Sequence, residues 1–255
     1  MVEDDFLDLI KLMAKLRSDN GCPWDIEQTP HTIKQNILEE ACEVIDAIES
    51  GDQDHIKEEL GDLLLQVVFQ AQMASENEDF DISDVIKGIV EKLVRRHPHI
   101  FGNETLRTSE EVLKSWDHIK STEKEDFSHL GSVPMSLPAL ALSQKLQKKA
   151  AKAGFDWPTD EGVIEKLTEE IEELREARTL GPKETEEEFG DILFTLVNLG
   201  NRWGIDSEIA LRRVSNKFKE RFERIEKMAI SDNLDFIGLT LDEKEVLWER
   251  AKNEE

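Results

Sequence analysis

Residues 59–70 read Glu-Leu-Gly-Asp-Leu-Leu-Leu-Gln-Val-Val-Phe-Gln. Wound at about 100° per residue, Leu60, Leu63, Leu64, Leu65, Val67, Val68 and Phe69 cover most of a helix circumference. Glu59, Asp62, Gln66 and Gln70 fall on one narrow stripe. A helix apolar almost all round is expected to be buried, and an ionised carboxylate is costly to bury unless a base or a metal pairs with it. The pattern returns at 188–199, Glu-Phe-Gly-Asp-Ile-Leu-Phe-Thr-Leu-Val-Asn-Leu, where the stripe is Glu188, Asp191, Thr195 and Asn198.

The preceding segment repeats as well. Leu38-Glu39-Glu40-Ala41-Cys42-Glu43 matches Thr168-Glu169-Glu170-Ile171-Glu172-Glu173. On the first of these helices Ile37, Leu38, Ala41, Val44, Ile45 and Ile48 form the apolar face. Glu40 lies at its edge between Val44 and Ala47, with Glu43 one turn on. Glu170 lies likewise between Leu174 and Ala177. Further on, Lys92 and Arg96 pair with Lys217 and Arg221, and Gly21–Trp24 with Gly154–Trp157. A repeat this long implies duplication of a helical unit.

Helical periodicity predicts elements near 6–16, 32–50, 55–75, 82–97 and 109–124, and again near 139–153, 160–179, 183–203, 206–230 and 242–252. Residues 126–138 hold a Gly and two Pro. They read as a linker between a first domain, 1–125, and a second, 139–255. The expected class is all-α, with two tandem helical-bundle domains.

Composition agrees. The 255 residues hold only 13 Gly and 7 Pro, are 38% hydrophobic, and carry a formal net charge of −25. Such a charge argues against a nucleic-acid polymer or an anionic membrane surface as partner. Cys22 and Cys42 make neither a disulfide framework nor a zinc spacing. The first residues lack a signal peptide's basic and apolar regions, and no apolar run approaches membrane-spanning length. A cytoplasmic protein is expected.

A single Glu-Glu-x-x-Glu among 57 acids says little, because most such runs are solvated faces. Recurrence in register with a second acidic pair, on a helix otherwise apolar, changes the reading. Two stripes brought together would gather Glu40, Glu43, Glu59 and Asp62 in one copy, and Glu170, Glu173, Glu188 and Asp191 in the other. Four such anions repel and raise their own pKa values. A hard divalent cation resolves the conflict, and all-oxygen ligation suits Mg²⁺, with Mn²⁺ as substitute. Lys92 with Arg96, and Lys217 with Arg221, each share a helix face and suit an anionic partner such as a polyphosphate. Trp116 and Trp248, on the last helix of each half, are placed either to stack on a base or to pack. Lys120 lies one turn after Trp116. His97 and His99 read as turn residues around Pro98, and Trp24 and Trp157 as packing. No Walker loop, Rossmann glycine pattern or nucleophile motif is present.

Together these residues resemble the MazG nucleoside triphosphate pyrophosphohydrolases. The resemblance is carried by Gly21-Cys22-Pro23-Trp24-Asp25, the two carboxylate sets, Arg95-Arg96-His97-Pro98-His99-Ile100-Phe101-Gly102, Trp116-x-x-Ile119-Lys120 and Gly154-Phe155-Asp156-Trp157. It implies Mg²⁺-dependent hydrolysis of NTPs and dNTPs to the monophosphate and pyrophosphate by a homodimer. Glu170, Glu173, Glu188 and Asp191 would ligate metal in the second domain, with Lys217 and Arg221 on the phosphates and Trp248 near the base. Glu40, Glu43, Glu59 and Asp62 would ligate it in the first, with Lys92 and Arg96. Arg95, Trp116 and Lys120 are further candidate substrate contacts. A carboxylate, Glu39 or Glu169, would assist as general base. The resemblance makes the second copy the surer catalytic unit; in the first, Arg95 stands where the second has Glu220. Two rivals remain. A di-iron carboxylate bundle requires Glu-x-x-His, which neither metal-site helix has. A non-catalytic module would bind metal and nucleotide without turnover.

Overall fold

The computed structural model describes residues 2–123, 128–131 and 133–253, and among these every regular element is a helix. The chain divides into two compact units, Met1–Lys124 and Glu125–Glu255. The linker expected over 126–138 includes residues 126, 127 and 132, which lie outside the described set. No described helix is long and apolar enough to cross a membrane.

The first unit holds α1 (Val2–Leu16), α2 (Pro23–Glu27), α3 (Lys34–Ser50), α4 (Gln53–Glu76), α5 (Ile82–Arg96), α6 (Pro98–Phe101) and α7 (Ser109–Thr122). Its backbone is the α3–α4 hairpin, made by a tight turn. Gly51 ends α3 at φ +74°, a conformation that favours glycine. Asp52 then caps α4 by accepting from the Asp54 and His55 amides. This turn fixes the antiparallel register, and the register lays Glu40 and Glu43 beside Glu59. α1 packs on α4 through Met13, Ile33, Val68, Phe69 and Met73, with Phe6, Leu9, Ile10, Leu16 and Leu65 around them. Arg17 ties the loop after α1 to the end of α4. Its guanidinium donates to Glu76 at 2.7 Å and to the Asp25 and Gln28 carbonyls.

The second unit holds α8 (Ala139–Lys152), α9 (Asp160–Ala177), α10 (Pro182–Arg202), α11 (Ser207–Ser231) and α12 (Leu241–Asn253). The α9–α10 hairpin repeats α3–α4, and α8 packs on α10 as α1 does on α4. Arg202 holds the Gly154–Trp157 segment by ion pairs to Asp156 (3.1 Å) and Asp160 (2.6 Å), and Trp203 donates to the other Asp160 oxygen. The α11–α12 pair closes on Ile225, Met228, Ala229, Leu247 and Ala251.

Most boundaries differ from the periodicity by a residue or two, as frayed ends do; α1 starts four residues earlier than expected, at Val2. The short helices α2 and α6 escaped it, being less than two turns long and started by Pro23 and Pro98. Trp24, read as packing, is 57% exposed. One difference is larger. The helices expected to be buried all round are buried on one side only. Leu60, Leu64 and Val67 on α4 are exposed, and so are Phe189, Leu193 and Leu196 at the aligned positions of α10. The reason is helix count: α1, α3 and α5 pack against α4 and leave that face open.

Candidate functional site

Each hairpin gathers three carboxylates. Glu40, Glu43 and Glu59 each place an oxygen within 4.8 Å of the other two, and Glu170, Glu173 and Glu188 do the same. Two come from the first helix of the hairpin at i and i+3, so they project from adjacent turns of one face. The third crosses from the second helix. Asp62 and Asp191, one turn on from Glu59 and Glu188, act on Glu40 and Glu188 through their charge.

The electrostatics are those of crowded anions. Burial pushes the Glu40 carboxyl above the usual range, helped by a shared hydrogen bond with Glu43 and by the charges of Asp62 and Glu43; an amide hydrogen bond from Gln66 (3.3 Å) partly offsets this. The other amide atom, Gln66 Oε1, is buried without a hydrogen-bond partner. Burial likewise raises Glu188, followed by the charges of Glu173, Glu170 and Asp191. Glu170 is 5% exposed. Three carboxylate oxygens at this separation, reluctant to ionise together, form a donor set that suits a hard divalent cation. These clusters can hold a metal ion.

Two polar neighbours escaped the sequence reading. His55 Nε2 lies 3.0 Å from Glu59, one turn away on α4. Lys166 Nζ lies 2.7 Å from Glu169 and 2.8 Å from Glu170. Both stand at i−4 from their partner acid, so the spacing was available as a signal.

The candidate phosphate and base residues group at the other helices of each unit. Arg96 lies over the Trp116 ring at 5.4 Å, and Arg221 over Trp248 at 4.9 Å. The Arg-over-Trp pair is thus a further repeated element, joining α5 to α7 and α11 to α12. Lys92 and Lys217 are exposed, as is Glu39, while Lys120 is half-buried. Arg95 and Arg96 also both bind Glu123, at 2.6 and 2.5 Å. The Arg96 and Arg95 guanidiniums hold that carboxyl down at about 2. No local spacing announces Glu123, which meets them only through the α5–α7 packing. His97 is not a plain turn residue: its ring packs edge-on to Trp116 at 5.0 Å and its Nδ1 lies 2.6 Å from the Leu93 carbonyl. In the second unit Trp248 borders a cavity of about 290 Å³ lined by Phe218, Phe222, Phe236, Leu241 and Lys244. The sequence reading did not single out Phe218, Phe222 or Phe236.

A duplicated all-α bundle with one three-carboxylate centre in each α-hairpin is the class these features define. The profile of the MazG nucleotide pyrophosphohydrolase domain matches residues 28–101 and 159–225, one match per unit, each taking in the carboxylate hairpin. The chain is 45% identical over 249 residues to the nucleoside triphosphate pyrophosphohydrolase/pyrophosphatase MazG of Thermotoga maritima, covering 97% of this chain and 95% of that one. It is also 45% identical over 254 residues to the nucleoside triphosphate pyrophosphohydrolase of Escherichia coli K12, covering 97% of each. A solved structure, the mazG-related protein from Thermotoga maritima, is 29% identical with a TM-score of 0.39, covering 45% of this chain and 97% of that one. The chain belongs to the MazG family.

Proposed function

We propose that the chain is an enzyme that hydrolyses nucleoside triphosphates, NTPs and dNTPs, to the monophosphate and pyrophosphate by attack of water at the α-phosphorus. The observation that carries this reading is the trio Glu170, Glu173 and Glu188, gathered with a buried member and a raised Glu188 pKa. The names of the two full-length relatives support it. Mg²⁺, with Mn²⁺ as substitute, supplies charge neutralisation of the triphosphate and an acidified water when bound. Glu170, Glu173, Glu188 and Asp191 hold the cation in the second unit. Lys217 and Arg221 take the phosphates, Trp248 lies near the base, and Glu169 receives a proton from the water. Glu40, Glu43, Glu59 and Asp62 form the equivalent site in the first unit, with Glu39, Lys92, Arg96, Arg95, Trp116 and Lys120. There the Arg95 and Arg96 guanidiniums are engaged by Glu123.

Product analysis tests the reading. With Mg²⁺, ATP and dTTP are expected to give monophosphate and pyrophosphate, with turnover abolished by EDTA and restored by excess Mg²⁺. Diphosphate plus phosphate, or no turnover at any metal concentration, would leave a non-catalytic binding module.

The working form is proposed to be a homodimer. Leu60, Leu64 and Val67 form one open apolar stripe at spacing i, i+4, i+7, and Phe189, Leu193 and Leu196 form the same stripe at aligned positions. Open apolar patches on a soluble chain mark contact surfaces, and a second copy offers the self-complementary face that a two-fold axis requires. Light scattering is expected to give twice the 29.3 kDa chain mass. The double change Leu193→Arg and Leu196→Arg is expected to shift the population toward monomer. A monomeric wild type sinks this part of the proposal.

A further inference from the structure

The carboxylates of the second unit do not face one another alone. Besides its contacts to Glu169 and Glu170, Lys166 Nζ lies 3.9 Å from Glu173. It stands one turn before Glu170 on α9, so the helix itself delivers the ammonium to the cluster. The first unit has no lysine at the aligned position, which is Asn36; there the Gln66 amide bonds Glu40 and the His55 ring lies 3.0 Å from Glu59. The duplicated site has therefore diverged in one respect that bears directly on a cation.

A buried carboxylate such as Glu170 needs a positive partner. Lys166 is that partner. Yet the oxygens it binds belong to the same trio that surrounds the candidate metal position. Both cations cannot take the full charge of Glu170 at once. The lysine side chain is about one-third exposed (34%) and rides on a flexible stem, so it can leave.

We propose that Lys166 is an internal counter-cation of the second cluster, holding Glu169 and Glu170 while no metal is bound and competing with the divalent cation for Glu170 and Glu173. The inference rests on the metal-site reading above. It gives the two units different metal affinities in the absence of nucleotide, with the lysine-free first cluster filling before the second.

The test is Mn²⁺ binding without nucleotide, followed by electron paramagnetic resonance of the free ion. The full chain carries Glu40→Gln, which weakens the first cluster and leaves the second to report. Lys166→Met is expected to tighten Mn²⁺ binding by about three- to tenfold, the scale of removing two partly exposed charge-assisted bonds. Lys166→Asn, which installs the first unit's own residue, is expected to do the same, and serves if the Met variant fails to fold. Lys166→Arg is expected to bind like the parent. A purely structural lysine predicts the opposite sign, because carboxylates that lose their brace splay and bind metal less well. Unchanged or weaker Mn²⁺ binding in both neutral variants overturns the inference. A parent chain that binds no Mn²⁺ overturns the metal-site reading, and the inference with it.

Discussion

Glu170→Gln is expected to lower kcat/KM for nucleoside triphosphates by about three orders of magnitude. The change keeps the side chain's size and removes its charge, at the most buried acid of the second trio. A bound metal is worth several kcal/mol to a phosphoryl-transfer transition state, and each ~1.4 kcal/mol is tenfold in rate. A neutral amide oxygen ligates a hard cation far less well than a carboxylate. It also leaves Lys166 with Glu169 as its near partner. The measurement is steady-state pyrophosphate release, with circular dichroism to show that the variant is folded. The matching change in the first unit, Glu40→Gln, is expected to cost less, because the chemistry is proposed to lie in the second unit. Retention of more than a tenth of wild-type activity in Glu170→Gln would move the chemistry out of the second unit. A larger loss in Glu40→Gln would place it in the first.

Phe69→Ala is expected to destabilise the first unit by about 3–5 kcal/mol, the usual cost of emptying a large aromatic site in a packed core. Phe69 is 4% exposed and packs with Met13, Ile33, Val68 and Met73. The Arg17 guanidinium lies 5.5 Å over its ring while gripping Glu76, so the change also removes the platform under the strap that closes α4. That is a large part of a domain's total stability. Calorimetry of the variant is expected to show the first unit melting well below the second, with pyrophosphate release retained at low temperature. A loss below about 1 kcal/mol would mean that the α1–α4 packing is not what holds this unit.

Much of the molecule was legible in the chain itself. The all-helical class followed from the 3.6-residue recurrence of apolar positions and the scarcity of Gly and Pro, because helix periodicity is a local property. The duplication was legible in the two Glu-x-Gly-Asp segments and their partner acidic runs. So were most of the acids that the hairpins bring together, since i and i+3 residues share a face whatever the tertiary fold.

Only the folded structure decided the rest. That Glu59 and Glu188 cross from the second helix to meet the acids of the first depends on the register of two helices, which the Gly51–Asp52 turn sets in the first hairpin. The sequence placed Glu123 nowhere; the α5–α7 packing carries it 27 residues back to Arg96. The one-sided burial of α4 and α10 was likewise undetermined, because periodicity says which faces are apolar but not how many helices are present to cover them. Glu170 marks the division. Its type and spacing named it as an acid at the edge of an apolar face. The second hairpin helix and the lysine one turn away decide that it is buried and paired.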